Sequence, residues 1–395
     1  MTTASVLVVG RGFSAYRGYV LEELHEAGVE TWVADDEPLN ALQDFDRYFE
    51  VDFDCGAAAE AQRLRQHRAD WSDLVGVCYI ESLLCWAAEF FEALQVPFLS
   101  PTEARLLRSK SRQRKAFAEA GIRSPWNRVG TPDQIQQQVL EFPLVIKPEN
   151  GYSSIGVEVV RSPRDLSVYF SRDNNVHSDE FVVEGVIQGR EYSIEGYARA
   201  DKVVAFAKTV KFKTPLPFFE EIGQFCARDV TPNESERDLF SRVVDALGVS
   251  DSVFHLEYFE SPGQLVPVEV GGRLGGDKIP YLHRRVTGRS LLLEHLDVVH
   301  EFDRSAKTGM GIVFFVPSVA GRVSSAFPSK ELLESLGEHC LETEADKQVL
   351  IAPDDFFVRL GFAILEAESV EEFVLLGNEK IALFEQETGV TLHRL

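Results

Sequence analysis

Two runs of alternating apolar residues flank a Ser-Pro-Gly triplet at 261–263, and this pattern predicts an antiparallel hairpin. If the two strands pair symmetrically about the glycine, Glu257 faces Glu269. Directly opposed residues in antiparallel strands have Cβ atoms about 4.5–5.5 Å apart, where like charges repel each other. A bridging cation reverses that penalty, and Mg²⁺ takes one or two carboxylates together with water and phosphate oxygens. The hairpin therefore predicts a magnesium site, with Arg273 placed to contact a phosphate.

On their own, two glutamates on the polar face of a hairpin are also typical of a solvated surface, because 63 of the 395 residues are acidic. The rest of the chain has to decide between these interpretations. A chain of this length exceeds what one core supports, so we expect two or three domains. The formal charge of −23 disfavours binding to nucleic acid or to a membrane, since both need positive clusters. Basic residues concentrate at 105–115 and 208–213, which are candidate anion contacts.

The five cysteines form no CxxC pair and have no regular spacing, so neither a zinc site nor a disulfide framework is predicted. This cysteine usage favours a reducing cytosol. The N-terminus has no basic start followed by an apolar run, and no stretch approaches the roughly 18 apolar residues of a membrane span. We therefore expect a soluble, cytoplasmic protein.

The first part of the chain alternates apolar strands with helical patterns, which predicts an open α/β domain over residues 1–107. Strands are expected at 5–10, 30–34, 74–80 and 97–99, with helices at 16–27 and 82–94. The turn from Gly10 to Ala15, with Asp35 and Asp36 after it, approximates a dinucleotide fingerprint. Such turns also occur in α/β domains that bind no dinucleotide. An NAD-dependent oxidoreductase therefore stays open as an alternative.

Two motifs in the middle of the chain are suited to a nucleotide. An apolar strand ends in Lys147 and runs directly into a loop rich in glycine and serine. The glycines allow close backbone approach, while Ser153 and Ser154 offer amide and hydroxyl donors, as in a phosphate cradle. Further along, Glu184 and Glu191 flank a connection that suits an adenine edge and ribose hydroxyls. Each motif alone is also compatible with an ordinary surface turn.

The order of these motifs resembles the ATP-grasp superfamily: a lysine-bearing helix, a Lys-Pro strand with a glycine loop, a Glu-hinge-Glu segment, and a Glu…Glu-x-x-x-Arg hairpin. The resemblance covers roughly residues 1–390 and implies a fold of α/β and α+β type. It places an open, Rossmann-like preATP-grasp domain at 1–107, an ATP-grasp domain at 108–310, and a small α+β domain at 311–395. The sequence from Glu269 to Pro280 and the pattern Arg359-Leu-Gly361 are similar to carboxylate-amine ligases, in particular the L-amino acid ligases.

The resemblance also implies roles for individual residues. ATP would be held by Lys110, Lys147, Ser153, Ser154, Gly156, Glu184, Val186, Glu191 and Lys208. One or two Mg²⁺ ions, or Mn²⁺, would be held by Glu257 and Glu269. Catalysis would use Arg273, Lys147 and the amides of Gly275 and Gly276. Where family members commonly have a metal-binding asparagine, this chain has Gly271, so the number of metal ions stays open.

The implied reaction is ATP-dependent activation of a carboxylate as an acyl phosphate, followed by attack of an amine, with release of ADP. The partners would be a small-molecule acid and amine, and a homodimer is compatible with the family. We expect Glu81 to bind the ammonium group of the amine, and Glu220 to lie in the substrate pocket. His255 is interpreted as packed or hydrogen-bonded. Loading of an amino acid onto a carrier-protein thiol and a nucleotide-binding regulator without turnover stay open as further alternatives.

Overall fold

The computed structural model describes residues 5–37, 44–68, 70–172, 178–351 and 358–395. These residues form a mixed α/β structure with sheets of four, four and eight strands and a separate two-stranded ribbon. The predicted mixed fold class is confirmed. None of the described helices combines the length and the apolar content needed to cross a bilayer.

The N-terminal unit is an open parallel sheet with helices on both faces. It contains β1 (Ser5–Val9), α1 (Ser14–Glu26), β2 (Glu30–Asp35), β3 (Arg47–Glu50), α2 (Ala57–Leu64), β4 (Val75–Val77), a 3₁₀ turn (Glu81–Leu83), α3 (Leu84–Leu94) and α4 (Pro101–Arg108). Val6 and Val8 belong to one apolar core, and Leu7 and Val9 to another. Because both faces of β1 are covered, its sequence is apolar without alternation.

The strand order of this sheet is β3-β2-β1-β4, so the chain runs outward from β1 and then returns to its other side as β4. The order therefore reverses between β1 and β4, and the loops after these strands form a crevice at their carboxyl ends. The prediction of a strand at 97–99 is wrong, because the structure has no strand at these residues. The structure describes these residues, and Pro97 only accepts one hydrogen bond, 2.9 Å long, from the Gly76 N–H.

The second unit begins with a small antiparallel sheet. Its elements are α5 (Lys110–Glu119), β5 (Asn127–Gly130), α6 (Pro132–Gln136), β6 (Leu144–Pro148), β7 (Glu158–Val160), α7 (Pro163–Ser171) and β8 (Phe181–Gly185). The strands have the order β5-β8-β6-β7. Leu144 and Ile146 of β6 point into a core with Leu166 and Val183. The glycine- and serine-rich loop is the connection from β6 to β7, so it projects from the end of this sheet.

The remaining elements build a large sheet. They are β9 (Arg190–Arg199), β10 (Lys202–Lys213), β11 (Glu221–Ala227), α8 (Glu234–Leu247), β12 (Ser252–Ser261), β13 (Gln264–Gly271), α9 (Ile279–Thr287), α10 (Leu291–His295), β14 (Gly309–Phe314), β15 (Gly321–Arg322), α11 (Lys330–Leu336), β16 (His339–Leu341), β17 (Gln348–Val349), β18 (Gly361–Ala367) and α12 (Val370–Thr388). Eight strands follow one another in the order β13-β12-β9-β10-β11-β14-β18-β16. The strands on either side of residue 310 thus share one sheet, since β11 pairs with β14.

The β12–β13 hairpin has the predicted pairing of its two glutamates but not the predicted turn. Ser261 pairs with Gln264, which leaves a two-residue turn in which Gly263 has a φ of 75°. A regular ladder from this turn would place Val268 opposite Glu257. The register shifts between Tyr258 and Glu257, and this bulge brings Glu269 opposite Glu257.

Candidate functional site

A cavity of about 1090 Å³ lies where the N-terminal sheet, the small sheet and the large sheet meet. Of the predicted site residues, its lining contains Glu81, Lys110, Lys147, Ser153, Ser154, Glu184, Val186, Glu191, Glu220, Glu257, Glu269, Arg273 and Gly276. These residues are separated by up to 195 positions in the sequence, and the fold brings them to one chamber. Its volume is at the upper end of what ligand pockets usually have.

Buried charges connect the two strands under the glycine loop. The Lys147 ammonium at the end of β6 pairs with the Glu184 carboxylate of β8, and Arg114 of α5 approaches the same carboxylate at 3.0 Å. Burial lowers the pKa of Lys147. Burial alone raises the pKa of Glu184, but the two cations outweigh it and hold that pKa below its ordinary value. The Glu184 carboxylate is therefore charged and already has two cationic partners.

The loop from β6 to β7 is tied to the start of α5. Lys110 donates to the Gly151 carbonyl at 2.7 Å and lies 3.2 Å from the Glu269 carboxylate. Ser153 and Ser154 both have left-handed backbone conformations, with φ of 53° and 57°. Non-glycine residues in this region cost free energy and cluster at ligand clamps. Lys110 thus links the predicted phosphate loop to a predicted metal ligand.

A cluster of carboxylates surrounds Lys211 in the lining of the cavity. Lys211 pairs with Glu257, with Glu221 at 2.8 Å and with Glu191 at 3.6 Å. Single oxygens of these three glutamates lie within 4.8 Å of one another. Burial lowers the pKa of Lys211, but the carboxylates outweigh it and raise that pKa well above its ordinary value. Such converging hard oxygen donors suit Mg²⁺, so the residues present fit a divalent ion near Glu257.

His255 lies between Glu257 of this cluster and a further buried carboxylate, that of Glu195. Its Nδ1 lies 2.7 Å from the buried Glu195 carboxylate, and its Nε2 lies 3.4 Å from Glu257. Burial opposes the charged imidazole, but the neighbouring Glu195 outweighs it and raises the pKa of His255 to about 9. The interpretation of His255 as a hydrogen-bonded histidine is confirmed.

Arg273 extends from the end of β13 toward the N-terminal unit, where it pairs with Glu81. Arg108 pairs with the other oxygen of Glu81 at 2.5 Å. Burial raises the pKa of Glu81, but the two arginines outweigh it and lower that pKa to about 2. Both oxygens of Glu81 thus pair with arginines, one of which is Arg273. The binding of a substrate ammonium group by Glu81, which we expected from the sequence, stays a prediction.

Another part of the cavity lining is polar and contains Tyr16, Asp277, Glu342 and Arg359. Arg359 pairs with Asp277 at 2.7 Å and lies over the Phe314 ring at 3.7 Å from its centroid. Tyr16 of α1 donates to the Glu342 carboxylate. These side chains come from all three predicted units, so residues from the whole chain contribute to this part of the lining.

Three described residues with predicted roles lie outside the lining of the cavity: Gly156, Lys208 and Gly275. Gly156 accepts a hydrogen bond from Tyr169, and Gly275 lies next to the lining residue Gly276. Lys208 is different, because it points to the other face of the large sheet and pairs with Glu236 of α8 at 2.5 Å. The structure does not bring Lys208 to the other predicted ATP residues.

Three further residues line the cavity for which no individual role follows from the sequence motifs: Lys211, Lys213 and Glu221. A usable signal was present. Side chains alternate between the two faces of a strand, so Lys211 and Lys213 share one face of β10 while Lys208 lies on the other. No local signal marked Glu221, because its strand is defined by pairing with β10 and β14.

The turn after β1 does not have the features of a dinucleotide site. The backbone N–H of Arg11 donates to Asp35 at 3.1 Å, and the Arg11 side chain pairs with the same carboxylate at 2.5 Å. In a dinucleotide fingerprint this acidic residue binds the ribose. Asp35 is therefore engaged within the fold, which disfavours the oxidoreductase alternative.

Comparison with known proteins identifies the central part of the chain. Residues 140–281 match the family model of the ATP-grasp domain, and this range contains the glycine loop and the β12–β13 hairpin. This chain contains an ATP-grasp domain. Curated relatives include a carbamoyl-phosphate synthase from Methanobrevibacter smithii, 25% identical over 48% of this chain and 52% of the relative. A D-alanine–D-alanine ligase from Campylobacter jejuni is 28% identical over 40% of this chain and 49% of the relative. The chain thus spans about half the length of these relatives.

Solved structures resemble this chain over nearly its whole length. An L-amino acid ligase from Bacillus licheniformis superposes with a TM-score of 0.77, at 19% identity, covering 100% of this chain and 99% of that one. A carboxyaminoimidazole ribonucleotide synthase from Aspergillus clavatus, solved with ATP, has a TM-score of 0.71 at 16% identity and covers 98% and 99%. At these identities the similarity establishes the fold.

Proposed function

We propose that this ATP-grasp protein joins a carboxylate to an amine with the consumption of ATP, releasing ADP and phosphate. The observation that carries the proposal is the meeting of Lys147, Glu257, Glu269 and Arg273 in one cavity with the glycine loop above it. The ATP-grasp match and the ligases among the similar proteins support it. The substrates we propose are amino acids or similar acids and amines.

In the first half of the proposed reaction, a carboxylate oxygen attacks the γ-phosphorus of ATP. The bond from that phosphorus to the bridging oxygen breaks, ADP leaves, and an acyl phosphate forms. Lys110 and Lys147 stabilise charge on the phosphates, because buried cations interact strongly in a site that excludes water. A divalent ion held by Glu257 and Glu269 would neutralise further phosphate charge.

In the second half, the amine nitrogen attacks the carbonyl carbon of the acyl phosphate. The new C–N bond forms, the C–O bond to phosphate breaks, and the nitrogen loses a proton. We assign the stabilisation of the negative oxygen of the tetrahedral intermediate to Arg273, which pairs with Glu81, and to the N–H groups of Gly275 and Gly276, of which only Gly276 belongs to the cavity lining. No nucleophilic side chain is needed for either half.

The first experiment measures ADP, AMP and phosphate in a screen of paired acids and amino acids with ATP and Mg²⁺. Hydroxylamine in place of the amine should give a hydroxamate, because it traps an acyl phosphate. Formation of AMP instead of ADP would contradict the proposed intermediate.

The Glu269→Gln variant tests the metal-binding assignment. We expect it to lose at least about 100-fold in ADP release, comparable to removing one electrostatic contact in a transition state. Its thermal unfolding should stay close to that of the unchanged protein, since Glu269 is partly exposed. A matched control is Glu89→Gln, whose carboxylate is exposed on α3. Full turnover by Glu269→Gln would exclude Glu269 as a metal ligand.

A further inference from the structure

The crevice at the carboxyl ends of β1 and β4 opens into the same cavity, but the proposed ATP site leaves it unused. The loop after β1 contributes Gly12 and Phe13 to the lining, and the loop after β4 contributes Tyr79 and Ile80. Open α/β sheets bind ligands in the crevice where the strand order reverses. The glycine-rich turn noted in the sequence therefore lies where a ligand is expected.

Gly12 allows these two loops to approach each other. It has a φ of 66°, and a Cβ atom there would lie 2.5 Å from Ile80 Cδ1 and 3.2 Å from Arg17 Cγ. A side chain at position 12 would separate α1 from the loop after β4. The glycine thus brings Arg17, in the first turns of α1, close to the loop after β4.

Arg17 is a cation with spare hydrogen-bonding capacity. Its guanidinium donates to the Gly275 carbonyl at 2.7 Å and lies 5.9 Å from the centroid of the Tyr79 ring. Among the described residues, no carboxylate forms an ion pair with it, although the chain carries a formal charge of −23. An arginine has five N–H donors in a planar fork that matches a carboxylate.

The Tyr79 hydroxyl is a second, independent sign of a ligand. Tyr79 is 1% exposed and lines the cavity, and within the described part of the chain its hydroxyl has no hydrogen-bond partner. A buried hydroxyl without a partner is costly, so such groups usually have one. A carboxylate at Arg17 would lie near the Tyr79 ring, whose centroid is 5.9 Å from the guanidinium, and would offer an acceptor for this hydroxyl.

We propose that Arg17 and Tyr79 bind the unreacting carboxylate of an α-amino acid that serves as the amine substrate. This inference rests on the proposed ligase function. In an α-amino acid a single carbon separates the amine from the carboxylate. Arg17 contacts Gly275, and Gly275 lies between Arg273 and Gly276 in the same loop. A carboxylate on Arg17 therefore leaves the amine beside the groups proposed to stabilise the tetrahedral intermediate.

The acid substrate is a less suitable occupant of this crevice. Its carboxylate has to reach the phosphates, which we place at Lys110, Lys147 and the glutamates of the hairpin. Arg17 instead reaches Gly275 from the N-terminal unit. The crevice therefore selects the second substrate, and it selects an amino acid over a simple amine.

The Arg17→Gln variant tests this proposal with two separate readouts. The first is hydroxamate formation with hydroxylamine, which reports activation of the acid and needs no amine substrate. The second is the ratio of kcat/KM for each of the 20 standard amino acids to that for its C-terminal amide. We expect the unchanged protein to prefer its best amino acid over the amide by about 10- to 100-fold, the effect of a charged hydrogen-bond pair.

In Arg17→Gln this preference should fall to within about threefold, while hydroxamate formation stays within about twofold of the unchanged protein. Arg17→Lys should restore part of the preference, since an ammonium keeps the charge without the planar fork. Arg164→Gln, which removes an exposed arginine of α7 outside the cavity, should change neither readout.

Two results would overturn the inference and leave the ligase proposal intact. One is an equal loss of hydroxamate and of amide-bond formation in Arg17→Gln, which would assign Arg17 to activation or to folding. The other is an unchanged protein that forms hydroxamate but accepts amino acids and their amides equally. Failure of the unchanged protein to form either ADP or hydroxamate with any acid would instead refute the ligase proposal, and the inference with it.

Discussion

At the scale of single residues, alternation along β10 decides which lysine serves the cavity. Lys211 is buried among three carboxylates, whereas Lys208 pairs with Glu236 on the opposite face of the sheet. The basic run at 208–213 is visible in the sequence. Because side chains alternate between the two faces of a strand, only some of its lysines can face the cavity, and the prediction of Lys208 as an ATP contact did not use this alternation.

We expect Lys211→Met to reduce ADP release at least about 100-fold, because a buried positive charge is lost from among three carboxylates. Lys208→Met should keep turnover within about threefold, although it leaves Glu236 without its cation. Steady-state ADP release by both variants, with circular dichroism to confirm folding, measures the difference. A larger loss in Lys208→Met than in Lys211→Met would contradict the assignment.

A second residue-scale prediction concerns Glu23 of α1, which is buried and does not belong to the cavity lining. Ser290 donates to its carboxylate at 3.0 Å, and Arg284 lies 3.7 Å away. Burial outweighs both and raises the pKa of Glu23 to about 7 from an ordinary value of 4.5. The folded state therefore holds a proton that the unfolded chain releases, so stability should fall as the pH rises from 4.5 to 7.

Glu23→Gln removes this titration. We expect its free energy of unfolding, relative to the unchanged protein, to rise by about 2–3 kcal/mol between pH 4.5 and pH 8, as follows from the shift in pKa. Urea unfolding at both pH values provides the measurement. Glu22→Gln, at an exposed position of the same helix, is the matched control and should show no such change. Equal pH profiles for Glu23→Gln and the unchanged protein would refute the raised pKa.

At the scale of elements, the hairpin shows what the sequence can and cannot reveal. Alternation and the Ser-Pro-Gly triplet correctly predict two strands, and Glu257 does pair with Glu269. The bulge that produces this pairing has no local signal. The carbonyl of Val268, at the bulge, accepts a 2.6 Å hydrogen bond from Arg114 of α5, which is 154 positions earlier in the chain. A tertiary contact therefore accompanies the register that presents the two glutamates.

The loop between β13 and α9 allows a matched pair of glycine substitutions. A Cβ atom on Gly275 would lie 2.6 Å from Glu195 Oε2 and 3.1 Å from His255 Nδ1, whereas one on Gly276 would meet nothing within 4 Å. We expect Gly275→Ala to lower the free energy of unfolding by about 1–3 kcal/mol, the usual cost of overpacking. Gly276→Ala should change it by less than about 0.5 kcal/mol. Equal stabilities of the two variants in urea unfolding would contradict the close packing of Gly275.

At the scale of the whole molecule, the three predicted units depend on one another. The sequence predicts a domain boundary near residue 310. In the structure, however, β14 pairs with β11 on one side and with β18 on the other. Phe225 of β11 stacks on Phe373 of α12 with ring centroids 5.3 Å apart. Such contacts join residues far apart in the sequence, and composition and local periodicity carry no information about them. The division into units therefore stays a prediction, while the shared sheet is a property of the structure.

This shared sheet predicts that the chain cannot be shortened at the apparent boundary. Removal of residues 309–395 would expose the edge of β11 and uncover apolar residues such as Phe225, which is fully buried. We expect the fragment 1–308 to aggregate or to lack a cooperative thermal transition, whereas the full chain should unfold β11 and β14 in one transition by calorimetry. A soluble fragment that melts cooperatively, and that ATP with Mg²⁺ stabilises as much as the full chain, would show that the C-terminal part folds separately.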